Sequence, residues 1–220
     1  TMSANHAAFN LIFRFVENYI SPIAGRISSQ RHVMAIRDGF ISAMPFMIVG
    51  SFLLVFAYPP FSPDTTWGFA RAWLDLAKEF EGRILTPFDM TMGIMSIYIC
   101  AAISYNLGKH YEKSNQLDPF MCAMLSIMAF LLIAAPKTNG TLPVDSLGGT
   151  GIFTAILVAI YCVEMMRFLK AHNIGIRLPD QVPPMIKNSF DLLIPVLVVV
   201  LTLYPLSLFI QHHFDMLIPQ

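Results

Sequence analysis

Long stretches of the sequence contain no Asp, Glu, Lys or Arg. Five such uncharged runs have 18 or more residues: 39–63, 90–108, 119–136, 146–163 and 192–214. A bilayer core of about 30 Å requires about 20 helical residues, and a charge at its centre costs several kcal/mol. The pattern therefore predicts five membrane-spanning helices, at about residues 39–58, 88–108, 119–136, 151–168 and 192–212.

Near the N-terminus, apolar and polar residues recur with helical spacing. One face of the pattern is apolar and consists of Phe9, Ile12, Phe13, Val16 and Ile20. Pro22 ends the pattern, because proline cannot continue a helix. We expect this amphipathic helix to lie on the membrane surface, within a cytoplasmic N-terminal segment at residues 1–38.

A second amphipathic helix is predicted between the first two spans. The sequence Ser62-Pro63-Asp64 has the features of a helix start, and the pattern continues to about Gly82. Its apolar face consists of Phe69, Trp73, Leu76 and Phe80. We expect it to lie along the outer leaflet, and a re-entrant or core-packed helix is the alternative.

The composition agrees with a membrane protein. Hydrophobic residues make up 55% of the chain and charged residues 13%, whereas soluble domains carry about 25% charged residues. The formal net charge is zero, so no overall field favours nucleic acid as a partner. The predicted fold class is an all-α membrane protein, with five transmembrane helices and amphipathic interfacial helices in a single membrane domain covering residues 1–220.

The distribution of Lys and Arg predicts the orientation in the membrane. Ten of these residues lie in segments 1–38, 108–118 and 164–191, and four lie in segments 59–87 and 137–150. Because cytoplasmic loops carry the excess of positive charge, the N-terminus is predicted to be cytoplasmic. An odd number of spans then places Gln220 outside.

Small residues recur every fourth position on the second predicted span: Ser96, Cys100, Ser104 and Gly108. This spacing lets helix backbones approach closely in lipid, so we predict a helix-packing role. Cys122 and Cys162, like Cys100, are isolated in apolar runs and are interpreted as small hydrophobic residues.

Few ionisable groups lie within the predicted spans. Asp89, Asp118 and Asp191 lie at span boundaries, where helix capping is the simplest role. Glu164 and Arg167 are three residues apart and are expected to pair with each other. His212 and His213 lie near the outer end of the last predicted span, and no functional role is predicted for them.

The segment Lys137-Thr138-Asn139-Gly140 places amide and hydroxyl groups close to the membrane. Amides both donate and accept hydrogen bonds, so Asn139 and Gly140 are candidates for one wall of a pocket for a hydroxyl-rich ligand. A plain outer loop is the alternative. No P-loop, catalytic triad or His/Cys metal pattern is present in the sequence, so neither an enzyme in isolation nor a cofactor is predicted.

Three motifs together carry a family resemblance. The first is HVMAIRDGFI at residues 32–41 followed by Met44-Pro45, and the second is GIMS at 93–96. The third is LPDQVPP at 178–184, followed by Ser189-Phe190 and then by LIP at 193–195. In this order and spacing they resemble the IIC permeases of the lactose, cellobiose and diacetylchitobiose family of the bacterial phosphotransferase system.

The resemblance implies a sugar transporter of the bacterial inner membrane, about twice as long as this chain. It implies that the first five spans form the scaffold and homodimer interface. The later half would supply the histidine and glutamate that hold the disaccharide, which a IIB subunit phosphorylates on the cytoplasmic side. These two residues have no matching positions here, so no catalytic residue is carried over.

Two other functions remain open at this point. The chain could be half of an unrelated transporter or channel, or a self-standing membrane interaction protein. The LPDQVPP loop contains three prolines, which favour a stiff, extended connection. We expect this loop either to brace the scaffold or to contact a IIB partner.

Overall fold

The computed structural model describes residues 14, 17–18, 21–136, 140–176 and 178–214. Within these residues the architecture is all-helical, which confirms the fold class at that level. The α-helices of the described part are α1 (Ser21–Ser28), α2 (Arg31–Ala57), α3 (Gly68–Thr91), α4 (Met95–Asn115), α5 (Pro119–Ala134), α6 (Ile152–Ala171), α7 (Pro184–Asp191) and α8 (Leu193–Phe214). The predicted surface helix at Phe9–Ile20 lies outside the described residues, apart from Arg14, Glu17 and Asn18.

In the described part of the chain, four helical stretches are long and apolar enough to cross a membrane, judged by length and composition. They are Arg31–Ala57, Gly68–Asn115, Gly149–Ala171 and Pro184–His212. The apolar helix α5 is shorter, with 16 residues. A fifth crossing at α5 therefore stays a prediction.

Helix α2 begins eight residues before the predicted span. Its N-cap is Gln30, whose side-chain oxygen accepts a hydrogen bond from the Val33 backbone N–H at 3.0 Å. The uncharged run marked only the apolar part of this helix, because Arg37 and Asp38 are charged but pair with each other at 2.8 Å. A helix can thus extend beyond its apolar run where its charges reach the interface.

The predicted amphipathic helix at 62–82 is shifted along the chain. Ser62 and Asp64 do not start a helix, because the backbone N–H of Thr65 bonds to the Ser62 carbonyl in a local turn. Helix α3 starts at Gly68 instead and continues to Thr91. A short 3₁₀ segment, Met92–Ile94, then joins it to α4, so the α-helix within the second predicted span starts at Met95, and residues 88–91 belong to α3.

Helix α4 lies at the centre of the bundle and contacts α2, α5 and α6. On α2 the buried residues are all small: Ala35, Gly39, Ala43, Gly50 and Ala57. A Cβ atom on Gly39 would lie 2.9 Å from the Ile103 backbone nitrogen, and one on Gly50 would lie 3.1 Å from that of Met92. Helix α2 therefore closely approaches α4 at Gly39 and the 3₁₀ segment before α4 at Gly50, along its small-residue face.

Candidate functional site

The four small residues predicted for helix packing are all buried in α4. Ser96 donates its hydroxyl to the carbonyl of Gly148, and the Ser96 backbone N–H bonds to the carbonyl of Leu147 at 2.9 Å. These bonds fix the loop before α6 onto the start of α4. Ser96 thus has a loop-anchoring contact in addition to its place in the helix interface.

The other three small residues of α4, Cys100, Ser104 and Gly108, face α5. The Ser104 hydroxyl contacts that of Ser126, and the Cys100 thiol lies 3.6 Å from the Ser126 carbonyl oxygen. A Cβ atom on Gly108 would lie 3.1 Å from both the Cys122 sulfur and the Pro119 Cα. This face is covered by the same chain, so it is not open to a second copy.

The predicted pocket wall at Asn139 and Gly140 is only partly described, because Asn139 lies outside the described residues. Gly140 is exposed, with φ of +87°, and a Cβ atom there would meet nothing within 4 Å. Among the described residues, no side chain packs at the Cβ position of Gly140. The role of Asn139 and Gly140 as one wall of a ligand pocket stays a prediction.

A polar cluster lies where the start of α2 meets the ends of α4 and α6. We call it the three-helix cluster, and it consists of Gln30, Arg31, His32, Tyr111, Glu164 and Arg167. Glu164 is its centre. The Glu164 Oε1 atom accepts from the Tyr111 hydroxyl at 2.5 Å and from His32 Nε2 at 2.7 Å, and Oε2 accepts from Arg167 at 2.9 Å.

The hydrogen-bond network assigns the tautomer of His32. The Gln30 side-chain oxygen accepts from the Val33 N–H, so its amide nitrogen faces His32 Nδ1 at 2.6 Å. An amide N–H only donates, so Nδ1 must accept, and the ring proton resides on Nε2. That proton points at Glu164, which links α2 to α6.

Two guanidinium groups cover the Tyr111 ring. The Arg31 guanidinium carbon lies 5.2 Å from the ring centroid, and that of Arg167 lies 4.7 Å away. Both are within the range of a cation–π interaction. Arg167 also donates to the Tyr111 hydroxyl at 3.2 Å. Tyr111 is fully buried near the C-terminal end of α4, as part of the hydrophobic core.

The structure brings the predicted Glu164–Arg167 pair together, but it adds partners that spacing does not reveal. His32 is 132 residues from Glu164, and Tyr111 is 53 residues away. The signal present in the sequence was a carboxylate within the predicted span at 151–168, close to its end, where partners on neighbouring helices are expected. The identity of those partners depends on helix packing.

A second polar link holds α7 against the bundle at the same end. The Asp118 Oδ1 atom caps α5, accepting from the Phe120 N–H at 2.9 Å, and Oδ2 accepts from the Asn188 amide at 2.8 Å. Lys170 of α6 pairs with Asp191 at 2.8 Å. Asp118 therefore caps a helix, as predicted. Asp191 instead pairs with a lysine on another helix, and Asp89 lies inside α3 rather than at a helix start.

The buried polar groups of the described residues are already satisfied. Every buried side-chain nitrogen or oxygen atom among them has a hydrogen-bond partner within the protein. The same residues contain no group of three or more His, Cys, Asp or Glu side chains placed to hold a metal ion. Of these buried groups, Ser104 and Ser126 join α4 to α5, and Ser96 joins α4 to the loop before α6.

Comparison with known proteins identifies the family. The family model described as "Phosphotransferase system, EIIC" matches residues 37–219. The chain belongs to the EIIC family. It is 35% identical over 206 residues to the cellobiose-specific EIIC component of Geobacillus stearothermophilus, covering 85% of this chain and 43% of that protein. It is 33% identical to the lactose-specific EIICB component of Streptococcus mutans, covering 86% of this chain and 33% of that protein.

A solved structure has the same fold. The crystal structure of the transporter ChbC, the IIC component of the N,N'-diacetylchitobiose-specific phosphotransferase system, matches this EIIC chain with a TM-score of 0.76. The two are 32% identical, and the match covers 94% of this chain and 49% of ChbC. The chain thus spans less than half the length of these relatives. The family match excludes the unrelated transporter or channel that the sequence alone left open.

Proposed function

We propose that this EIIC chain is the scaffold and dimerisation half of a disaccharide permease. Its helices would hold the transport machinery in the membrane, and sugar would be held by residues that this chain does not contain. The relatives named above are specific for cellobiose, lactose and diacetylchitobiose. We infer a disaccharide substrate for the complete transporter on that basis.

The observation that carries this proposal is the satisfaction of the buried polar groups. A carbohydrate site needs polar side chains with spare hydrogen-bonding capacity, because each sugar hydroxyl removed from water requires a new partner. In the described bundle the buried hydroxyls of Ser104 and Ser126 are used between α4 and α5. The carboxylate of Glu164 is used by three donors within the three-helix cluster.

The proposed orientation places the three-helix cluster and α7 on the cytoplasmic side. It rests on the ten-to-four distribution of Lys and Arg. The name EIICB of the lactose-specific relatives supports a IIB partner, which in this orientation would act on the same side. The N-terminus would be cytoplasmic and Gln220 outside.

The proposed homodimer would use faces other than the small-residue face of α4. Exposed apolar side chains remain on α2 and α8, including Ile48, Phe52, Leu197, Leu201 and Phe209. Light scattering of the detergent-solubilised chain should report a dimer. A monomer at every protein concentration would contradict the dimerisation role.

The test of the sugar assignment is equilibrium dialysis with radiolabelled cellobiose, lactose and diacetylchitobiose. The purified chain should bind none of them saturably, while the full-length cellobiose-specific relative serves as the positive control. Saturable binding by the short chain would show that a sugar site lies in this half.

A further inference from the structure

We propose that the three-helix cluster binds the phosphate of an anionic phospholipid headgroup. The proposed site is the open, polar depression of about 490 Å³ lined by Ser29, Gln30, Arg31, His32, Tyr111 and Arg167. It lies where the start of α2 meets α4 and α6, at one end of the helix bundle. The site is separate from sugar recognition and does not depend on the proposed transport role.

The charge balance of the cluster leaves positive charge facing the depression. Glu164 is the acidic member, and its two oxygens are engaged by Tyr111, His32 and Arg167. Arg31 forms no ion pair with any of the described residues, and its side chain is exposed. The N-terminal end of α2 adds positive partial charge beside it.

The chemistry of these groups suits phosphate. Arginine has five N–H donors in a planar fork, so it can bind phosphate oxygens through paired hydrogen bonds. Arg31 and Arg167 are both held against the Tyr111 ring, at 5.2 and 4.7 Å from its centroid. Packing on one buried ring reduces the conformational entropy that each side chain would lose on binding.

The surroundings favour a lipid over a soluble phosphate. Ile23 and Ile27 on α1 are 59% and 57% exposed, and Phe168 on α6 is 56% exposed. All three belong to helices that reach this end of the bundle. The Gln30 N–H bonds to the Ile27 carbonyl at 3.1 Å, and Phe168 follows Arg167 in the sequence, so apolar side chains lie on the segments that carry the depression. Such an arrangement matches the two parts of a phospholipid, an anionic headgroup and its acyl chains.

The test measures lipid binding by native mass spectrometry on the 220-residue chain in a nonionic detergent. Phosphatidylglycerol and phosphatidylcholine are titrated in parallel. We expect phosphatidylglycerol to bind about tenfold more tightly than phosphatidylcholine, because its phosphate keeps a net negative charge, whereas the choline cation offsets that charge in phosphatidylcholine. Arg31→Gln should remove the preference, because it removes a guanidinium that faces the headgroup. Arg31→Lys should retain part of the preference, since lysine keeps the positive charge but lacks the planar set of N–H donors of the guanidinium group.

The matched control is Arg26→Gln. Arg26 lies on α1 at the same end of the bundle, is exposed, and is not part of the depression. Arg26→Gln should leave the preference for phosphatidylglycerol over phosphatidylcholine unchanged within about twofold. Equal losses from Arg26→Gln and Arg31→Gln would overturn the proposal, since the effect would then be a general surface charge.

Two further outcomes would also overturn it. One is an unchanged lipid preference in Arg31→Gln or, if that variant fails to fold, in Arg31→Lys. The other is binding of inorganic phosphate with the same dependence on Arg31 but without any preference between the lipids, which would indicate a soluble phosphate ligand. Circular dichroism melting of each variant verifies that it is folded.

Discussion

At the scale of single residues, close helix contacts in this chain depend on the absence of a side chain. Gly39 is buried where α2 crosses α4, and an added Cβ would meet Ile103 at its side chain and its backbone nitrogen, the latter at 2.9 Å. The backbone cannot yield as a flexible side chain could. Gly82 on α3, by contrast, has nothing within 4 Å of the equivalent Cβ position.

We therefore expect Gly39→Ala to lower the free energy of unfolding by about 1–3 kcal/mol, because α2 must shift away from α4. Gly82→Ala should be neutral or slightly stabilising, since alanine has the higher helix propensity. Thermal unfolding can be followed with a thiol-reactive fluorophore, because Cys100, Cys122 and Cys162 are each 0% exposed in the folded chain. Equal midpoints for the two variants would contradict the close packing at Gly39.

Glu164 is the residue on which the three-helix cluster depends. We expect Glu164→Gln to destabilise the chain by about 1–2 kcal/mol, because Arg167 loses its ion-pair partner and one acceptor for His32 or Tyr111 is weakened. Glu79→Gln, on the exposed face of α3, is the control and should change stability by less than about 0.5 kcal/mol. The same fluorophore assay measures both, and an unchanged midpoint for Glu164→Gln would exclude a stabilising role for the cluster.

At the scale of helices, the uncharged runs predicted α5, α6 and α8 to within a few residues. The uncharged runs did not predict the start of α2 or the boundary between α3 and α4. The start of α2 contains the charged Arg37 and Asp38, which pair with each other, and His32, whose ring N–H donates to Glu164 on α6. The bond between His32 and Glu164 joins two different helices, so counting charges along the sequence cannot detect it.

The polar contacts of the candidate site, like the helix bounds, were predicted only in part. The spacing of Glu164 and Arg167 indicated their pair, and Asp118 was recognised as a cap. His32 and Tyr111 were missed, since each reaches Glu164 only through the packing of α2 and α4 on α6. Spacing finds partners on one helix, whereas partners on different helices require the bundle geometry.

The LPDQVPP loop and α7 are proposed to brace the bundle, through the bond between Asn188 and Asp118. We expect Asn188→Ala to increase amide hydrogen exchange across residues 178–191, because the bond to Asp118 ties this segment to α5 at 2.8 Å. Exchange in α5 should change little, since Asp118 still caps that helix through the Phe120 N–H. Ser189→Ala is the control, because its hydroxyl bonds only to the Met185 carbonyl of the same helix. No difference between the variants would argue against a brace.

At the scale of the whole molecule, the charge distribution predicts which end faces the cytoplasm. Single cysteines at Ser28→Cys and Asp64→Cys lie in exposed positions at opposite ends of α2. A membrane-impermeant thiol reagent added to intact cells should label Asp64→Cys and leave Ser28→Cys unlabelled. The buried native cysteines give a low background. The reverse labelling pattern would invert the topology.

We propose above that this EIIC chain supports sugar transport without performing it. The most direct measurement is uptake of radiolabelled cellobiose into vesicles that contain IIB and its phosphate donors. The 220-residue chain should accumulate no more sugar phosphate than empty vesicles, while the full-length cellobiose-specific relative accumulates it. Saturable accumulation by the short chain, abolished when IIB is removed, would contradict the account and place the sugar site within these helices.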